Sequence, residues 1–319
     1  MNVHTTSTLL LQLGDISRFI DPFLEFGEDL LTLDPFLLQL LVLALLLGGV
    51  YALTALGLTM IFGVMDIINF AHGAFITIGI YLVWSAAKTL GLNPLLFLPV
   101  AVVFLFVVGA GIYQGVVGRI IEEPQESQLI AMFGVALIIT SAIAILFDPN
   151  PRSVDLDMGV LQFGTVFIAV DKLIVLVLAI TVMVAIYAFL MHTRLGLKIR
   201  ATADDRDSAR YAGIDIKNID RITFGIGAGL AGLAGGAVAL IESFDPFTGD
   251  LYLINAFVIV VLGGLGSFPG SFVGGMLVGA IVIFGGFYFP GTVNQLLVFM
   301  LFVTVLLLKP EGLFGGDLS

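Results

Sequence analysis

Cysteine is absent from this chain of 319 residues. A disulfide framework, a thiolate metal site and a cysteine nucleophile are therefore all excluded. Histidine is nearly absent: His4, His72 and His192 are the whole supply, and no His-Glu-x-x-His zinc spacing occurs. P-loop and dinucleotide-binding glycine motifs are missing, so no bound cofactor is expected. A basic surface is missing too, because the formal net charge is −11, which removes the electrostatic footprint of a nucleic-acid binder. Charge of either sign is scarce, at 12% of residues against roughly a quarter in an ordinary globular domain. The first apolar run, Thr8–Leu13, is short and follows no basic segment, so it lacks the form of a cleavable signal peptide.

Apolar residues take the place of the missing charge. They make up 59% of the chain, with a mean hydropathy of +1.12. A soluble fold of this size cannot hide that much apolar surface, and the runs recur along the whole length. The solvent for most of the chain is lipid, and the fold class is an all-α, polytopic transmembrane helix bundle. A helix needs about 20 apolar residues to cross a bilayer. Nine segments qualify as candidates: Pro35–Gly63, Ala71–Thr89, Pro94–Val117, Gln128–Phe147, Lys172–His192, Ile222–Ile241, Leu251–Leu265, Ser271–Tyr288 and Val293–Leu308. The first can be one tilted helix or a helix plus a broken second one, and the seventh is short and glycine-ended. The expectation is eight to ten helices with broken or re-entrant segments. Residues 1–34 form an acidic N-terminal segment ahead of a transmembrane domain at 35–319.

Lysine and arginine mark the cytoplasmic side. Seven of the 13 basic residues fall between Arg194 and Arg221, so the loop 193–221 is expected inside the cell. Alternation then puts Asp148–Asp171 and Glu242–Asp250 outside, and the C-terminal tail with Lys309 inside. A single first helix puts the N-terminus outside, whereas a break near Tyr51 reverses it. The acids lie in the water-exposed loops, which fits either a high-salt habitat or simply acidic loops.

Within the apolar length, "DIINFAHGAF" at Asp66–Phe75 places Asp66, Asn69 and His72 where lipid rejects polar groups. By the span count this stretch lies at or near the cytoplasmic end of two spans. Asn69 either caps the following helix or belongs, with His72, to the wall or gate of a pathway. Thr140, Ser141 and Asn255 are further pathway candidates. Pro269 and Gly270, in "GSFPGS", break a helix inside an apolar stretch, which makes Gly266 and Pro269 gate candidates. Small residues four apart, at Gly225 and Gly229, Gly232 and Gly236, Gly266 and Gly270, Gly275 and Gly279, and Gly111 and Gly115, let helix backbones approach closely. They serve packing within the chain or, for some pair, a subunit interface.

The basic loop also carries Asp204, Asp205, Asp207, Asp215 and Asp220, so it is no plain lipid-binding tract. Asp204 or Asp205 can cap a short helix running to about Ala212, which Gly213 then ends in a left-handed turn. Such a helix either sets topology or docks a soluble partner.

"DSARYAG" at Asp207–Gly213 resembles the Glu-Ala-Ala-x-x-x-Gly loop of ABC-importer permeases. "GLTMIFGVMDIINFAHGAFITIGIY" (Gly57–Tyr81), "VLGGLGSFPGSFVGGMLVG" (Val261–Gly279), "PRS" (Pro151–Ser153) and "KPEGLFG" (Lys309–Gly315) are similar to the branched-chain amino acid, LivH-type branch of those permeases. The likeness covers about Leu37 to Gly315. Asp207 and Ser208 stand where the loop motif has Glu-Ala, and no Leu-Pro follows. The resemblance implies a plasma-membrane permease subunit with a second, similar permease, two ABC ATPase subunits on the cytoplasmic face and an extracellular binding protein. ATP is then used by the partners, and the permease is not itself an enzyme. Asp204, Asp207, Ser208, Ala209, Arg210 and Gly213 become the coupling residues toward the ATPase. Urea, short-chain amide or sugar import by the same architecture is the alternative. A membrane-embedded enzyme is disfavoured because no catalytic groups converge in the sequence. A channel or ion-coupled carrier is disfavoured because span centres carry almost no charge.

Overall fold

The computed structural model describes residues 21–22, 24–29, 35–154, 156, 158–289 and 291–315. Most of the expected N-terminal segment 1–34 lies outside the described residues. In lipid a helix satisfies its own N–H and C=O groups, and all nine apolar segments fold that way. The helices are α1 (Pro35–Met65), α2 (His72–Leu90), α3 (Leu98–Ile112), α4 (Gln125–Phe147), α5 (Val170–His192), α6 (Arg194–Asp204), α7 (Arg206–Tyr211), α8 (Ile216–Ile241), α9 (Thr248–Gly263), α10 (Phe268–Tyr288) and α11 (Gly291–Leu308). A 3-10 turn at Pro94–Phe97 leads into α3. A π turn at Tyr113–Val117 and a last turn at Gly118–Ile120 extend it into one span, Pro94–Ile120. Among the described residues, seven helices are long and apolar enough to cross a membrane: α1, α2, the α3 span, α4, α5, α8 and α10. The chain is a multi-pass membrane protein. α1 is unbroken through Tyr51, which removes the alternative of a split first segment.

One end of the bundle carries α6 and α7 and is called the basic end below. The other carries a hairpin between α4 and α5, with β1 (Val160–Phe163) antiparallel to β2 (Val166–Ala169). Gly164, at φ +63°, makes its tight turn. The Gln39 side chain ties the hairpin to α1, accepting from the Phe167 N–H at 2.7 Å and donating to its C=O at 3.0 Å.

Glycine patterning explains the centre. α8 is buried along nearly its whole length, while α3, α4 and α5 leave most of theirs exposed. It packs against α1, α2 and α3. A methyl added at Gly229 meets the Val102 carbonyl oxygen of α3 at 3.0 Å, and one at Gly236 meets Leu98 at 2.6 Å. Gly275 of α10 faces Ala52 of α1 just as closely, at 2.5 Å. The small-residue spacing therefore serves packing within the chain at these positions, where dispersion contacts hold helices together in lipid. Gly111 and Gly115 depart from the pattern, because nothing lies within 4 Å of a methyl built on either.

The largest departure from expectation concerns depth. The His72 ring donates through Nε2 to the Thr54 carbonyl oxygen, 2.9 Å away. Thr54 lies eleven residues before the end of α1 at Met65, or roughly 16 Å at the rise of an α-helix. Asp66, exposed and directly after α1, thus sits at the basic end of that span as expected, whereas His72, at the start of α2, lies well inside the bundle. Asp66 turns the chain in a left-handed conformation (φ +53°), and the following residues climb back before α2 begins. Asn69 does not cap α2: Ala71 holds that position without a side-chain bond, and the Asn69 backbone C=O accepts from the His72 N–H. The start of α9 meets the start of α2 there. A methyl on Gly73 would lie 2.8 Å from the Gly249 carbonyl oxygen, so only glycine admits this contact.

Pro269 also differs from its expected role. It stands in the first turn of α10, after Ser267, whose hydroxyl accepts from the Gly270 N–H at 3.2 Å. Proline at that position costs no hydrogen bond, so it opens a helix and breaks none. The break lies earlier, at Gly264 (φ +103°) and Gly266 (φ +81°), where α9 turns into α10 at the basic end.

Candidate functional site

Two polar regions stand out: a buried one where α2 and α9 begin, and an exposed one built on α7. In the buried region Asn69 and His72 are each 0% exposed. Both side-chain atoms of Asn69 and Nδ1 of His72 have no hydrogen-bond partner among the described residues. Such atoms cost free energy unless a water or a moving partner satisfies them. Nearby, the hydroxyls of Thr59 and Ser271 pair at 2.6 Å and join α1 to α10. Thr140 on α4 and Asn255 on α9 are buried, whereas Ser141 is exposed. Asn255 accepts a long bond from Gln295 at 3.5 Å, and no hydrogen bond joins Thr140, Ser141 or Asn255 to Asn69 or His72 among the described residues. The sequence-derived pathway residues are therefore not joined in one hydrogen-bonded cluster among the described residues. Gly266, Pro269 and Asp204 do come together, bordering a cleft of about 420 Å³ at the basic end with Arg200 and Lys309.

The exposed region follows from local sequence. Thr193 caps α6 by accepting from the Gly196 N–H at 2.9 Å. Asp205 then interrupts the helix and caps α7. Its Oδ1 accepts from the N–H groups of Asp207 at 2.9 Å and Ser208 at 3.1 Å, and its Oδ2 accepts from the Ser208 hydroxyl at 2.6 Å. These bonds, that of the Ser208 hydroxyl above all, hold the Asp205 carboxyl below its ordinary value. Gly213, at φ +81°, ends the turn, as its position after a short helix requires. α7 turns Asp207, Ser208, Arg210 and Tyr211 outward and Ala209 inward. Tyr211 is 90% exposed.

Among the described residues, one ion pair bolts α7 to the spans. The Arg206 guanidinium donates to Oδ1 of Asp220 at 3.2 Å and to Oδ2 at 2.5 Å. It also donates to the Val64 carbonyl oxygen, at the end of α1, at 3.1 Å. Asp220, 1% exposed, sits in the first turns of α8 and accepts a longer bond from the Tyr113 hydroxyl of the π turn at 3.4 Å. A motion imposed on α7 thus reaches α1, α3 and α8 through three side chains and a carbonyl. Sequence reasoning did not single out Arg206, Asp220, Tyr113 or Tyr211. An acid just inside an apolar span is the signal that could have found Asp220.

Comparison with known proteins decides the family. Residues 40–306 match the model of the branched-chain amino acid transport system permease component. The chain belongs to that permease family. The high-affinity branched-chain amino acid transport permease BraD of Pseudomonas aeruginosa is 34% identical over 297 residues, 87% of this chain and 95% of BraD. The corresponding permease LivH of Escherichia coli is 28% identical over 289 residues, 84% of this chain and 92% of LivH. The ribose import permease RbsC of Escherichia coli is 37% identical, but over only 105 residues, 32% of either chain. No solved structure matches. The matched residues include the buried region, α7 and the cleft apart from its C-terminal border at Lys309 and Leu313–Gly315.

Proposed function

We propose that the chain is the transmembrane permease subunit of an ATP-driven importer of branched-chain amino acids and supplies half of its translocation pathway. The basic end faces the cytoplasm, as does the C-terminal tail that borders the cleft. Two ABC ATPase subunits dock there, a second homologous permease completes the pathway, and an extracellular binding protein delivers the amino acid at the hairpin end. The chain binds no cofactor and hydrolyses nothing; ATP is consumed by the partners.

The observation that carries this reading is the connection of an exposed helix to three spans by Arg206 and Asp220. A helix that only set topology would not need a buried carboxylate to anchor it. Asp204, Asp207, Ser208, Ala209, Arg210 and Gly213 shape or present the docking surface, with Tyr211 as its apolar knob. Arg206 passes the displacement on. Gly266 and Pro269 border the inner mouth of the pathway. Asn69 and His72 open when the starts of α2 and α9 part. Of Thr140, Ser141 and Asn255, only Ser141 is free to face a second subunit. The near-full-length likeness to BraD and LivH supports the cargo, while the likeness to RbsC covers too little to support sugar import.

Affinity purification of the tagged chain from its own membranes tests the assembly. An ATPase and a second permease are expected with the wild-type chain, and the ATPase alone should be lost with Gly213→Pro. Uptake of labelled ribose and urea alongside leucine tests the cargo, since a dependence of ribose or urea alone on this chain would replace the amino acid.

A further inference from the structure

A second basic feature at this end belongs neither to the docking helix nor to the cleft. Arg119, Lys217 and Arg221 converge on a recess of about 300 Å³ between the end of the α3 span and the start of α8. Gln114, Asn218 and Asp215 complete its polar rim. Asp215 Oδ1 is engaged as the cap of α8, accepting from the Asn218 N–H at 3.2 Å. Arg221 is held in place by the Asn218 side chain, to which it donates at 2.7 Å. The recess therefore presents three cations against one occupied carboxylate. Its wall is the π turn Tyr113–Val117, a departure from α-helical geometry that often marks functional sites.

Position decides what fits. Arg119 is next to last in the apolar span Pro94–Ile120, and Lys217 and Arg221 precede the apolar run of α8. All three sit where a span leaves the hydrocarbon, which is the level of lipid headgroups. An exposed apolar stripe runs along α3 toward the recess through Val100, Val103, Phe104 and Val107. It continues past Gly111 and Gly115, whose open faces leave a notch in the helix surface. A soluble anion would use the cations alone. A phospholipid would use both the cations and the notched stripe. Basic recesses between spans on this side of a membrane take anionic headgroups.

We propose that this recess binds the phosphodiester headgroup of an anionic phospholipid, with an acyl chain lying along the α3 stripe. The lipid bridges α3 and α8 beside Tyr113 and Asp220, and so braces the two spans to which the docking helix is anchored.

The intact importer complex, reconstituted in bilayers of phosphatidylcholine with phosphatidylglycerol, is extracted gently and its retained lipids are counted by native mass spectrometry. The wild-type complex should keep phosphatidylglycerol in preference to phosphatidylcholine, and inorganic phosphate should not displace it. The triple variant Arg119→Gln, Lys217→Gln, Arg221→Gln should hold phosphatidylglycerol roughly 100-fold more weakly. Its phosphatidylcholine content and ATPase content should stay unchanged. The single variant Gly111→Leu, which fills the notch and spares every charge, should weaken retention too. Equal retention by the triple variant overturns the proposal. Displacement by inorganic phosphate overturns it in favour of a soluble anion. Loss of the ATPase with lipid retained overturns it in favour of a protein contact.

Discussion

Arg206 of the exposed helix α7 and Asp220 of the buried helix α8 are joined by two hydrogen bonds, at 3.2 and 2.5 Å. Asp220 is 1% exposed and depends on this partner, with only a long bond from Tyr113 besides among the described residues. Removing one member of a buried pair strands the other, a cost of about 3–5 kcal/mol when both are enclosed. The Arg206 side chain is 37% exposed, so water screens part of that loss. Arg206→Gln should therefore leave a protein that reaches the membrane yet loses transport by roughly tenfold or more. Partner ATP hydrolysis should continue without uptake. Asp220→Asn combined with Arg206→Gln should recover part of the activity, because the stranded charge is gone. Equal losses of hydrolysis and uptake would assign the pair to docking and not to transmission.

Gly213 should tolerate asparagine and reject proline. Its φ of +81° lies far from the value proline enforces, near −65°. Asparagine enters the left-handed region at small cost. Co-purification of the ATPase should survive Gly213→Asn and fail with Gly213→Pro, while the amount of permease in the membrane stays the same for both.

Two glycines with opposite surroundings give a paired test of the buried helix junction. Alanine at Gly249 drives a methyl into the Gly73 carbonyl and the Thr77 hydroxyl. It should destabilise the protein by about 1–3 kcal/mol, as overpacking does. Alanine at Gly111 meets nothing within 4 Å and should be neutral or slightly stabilising. Thermal unfolding of both purified variants in the same detergent reads the contrast, and similar midpoints would contradict the close approach of α2 and α9.

The cap of α7 should depend on pH in one direction only. The folded value of the Asp205 carboxyl is depressed, chiefly by the Ser208 hydroxyl. Its contribution is then fully present above the ordinary aspartate value and is lost as pH falls through the depressed one. Hydrogen exchange at the Asp207 and Ser208 amides should stay slow through neutral and mildly acidic conditions and rise only in strong acid. Faster exchange already at mildly acidic pH would contradict the cap.

Local features were legible in the sequence and distant ones were not. Asp205 and Gly213 act on their own neighbours, so an acid before a short helix and a glycine after it sufficed. The apolar runs declared the spans in the same way. The depth of Asn69 and His72 depends on Gly73 meeting Gly249, an approach between remote segments that no periodicity records. Pro269 inside an apolar stretch suggests a helix break, although Ser267 before it carries the signal of a helix start. The hairpin had its own signal, Gly164 between two β-prone runs, in a loop assigned only a side. Arg206 and Asp220 were two charges among many in a mixed loop, and only the folded chain selects which acid meets which base.

Uptake of labelled leucine by cells lacking this chain, compared with cells in which it has been restored, tests the central claim most directly. The account predicts that uptake falls on removal, returns with the wild-type chain and does not return with Arg206→Gln. Leucine uptake that is the same with and without the chain would contradict it.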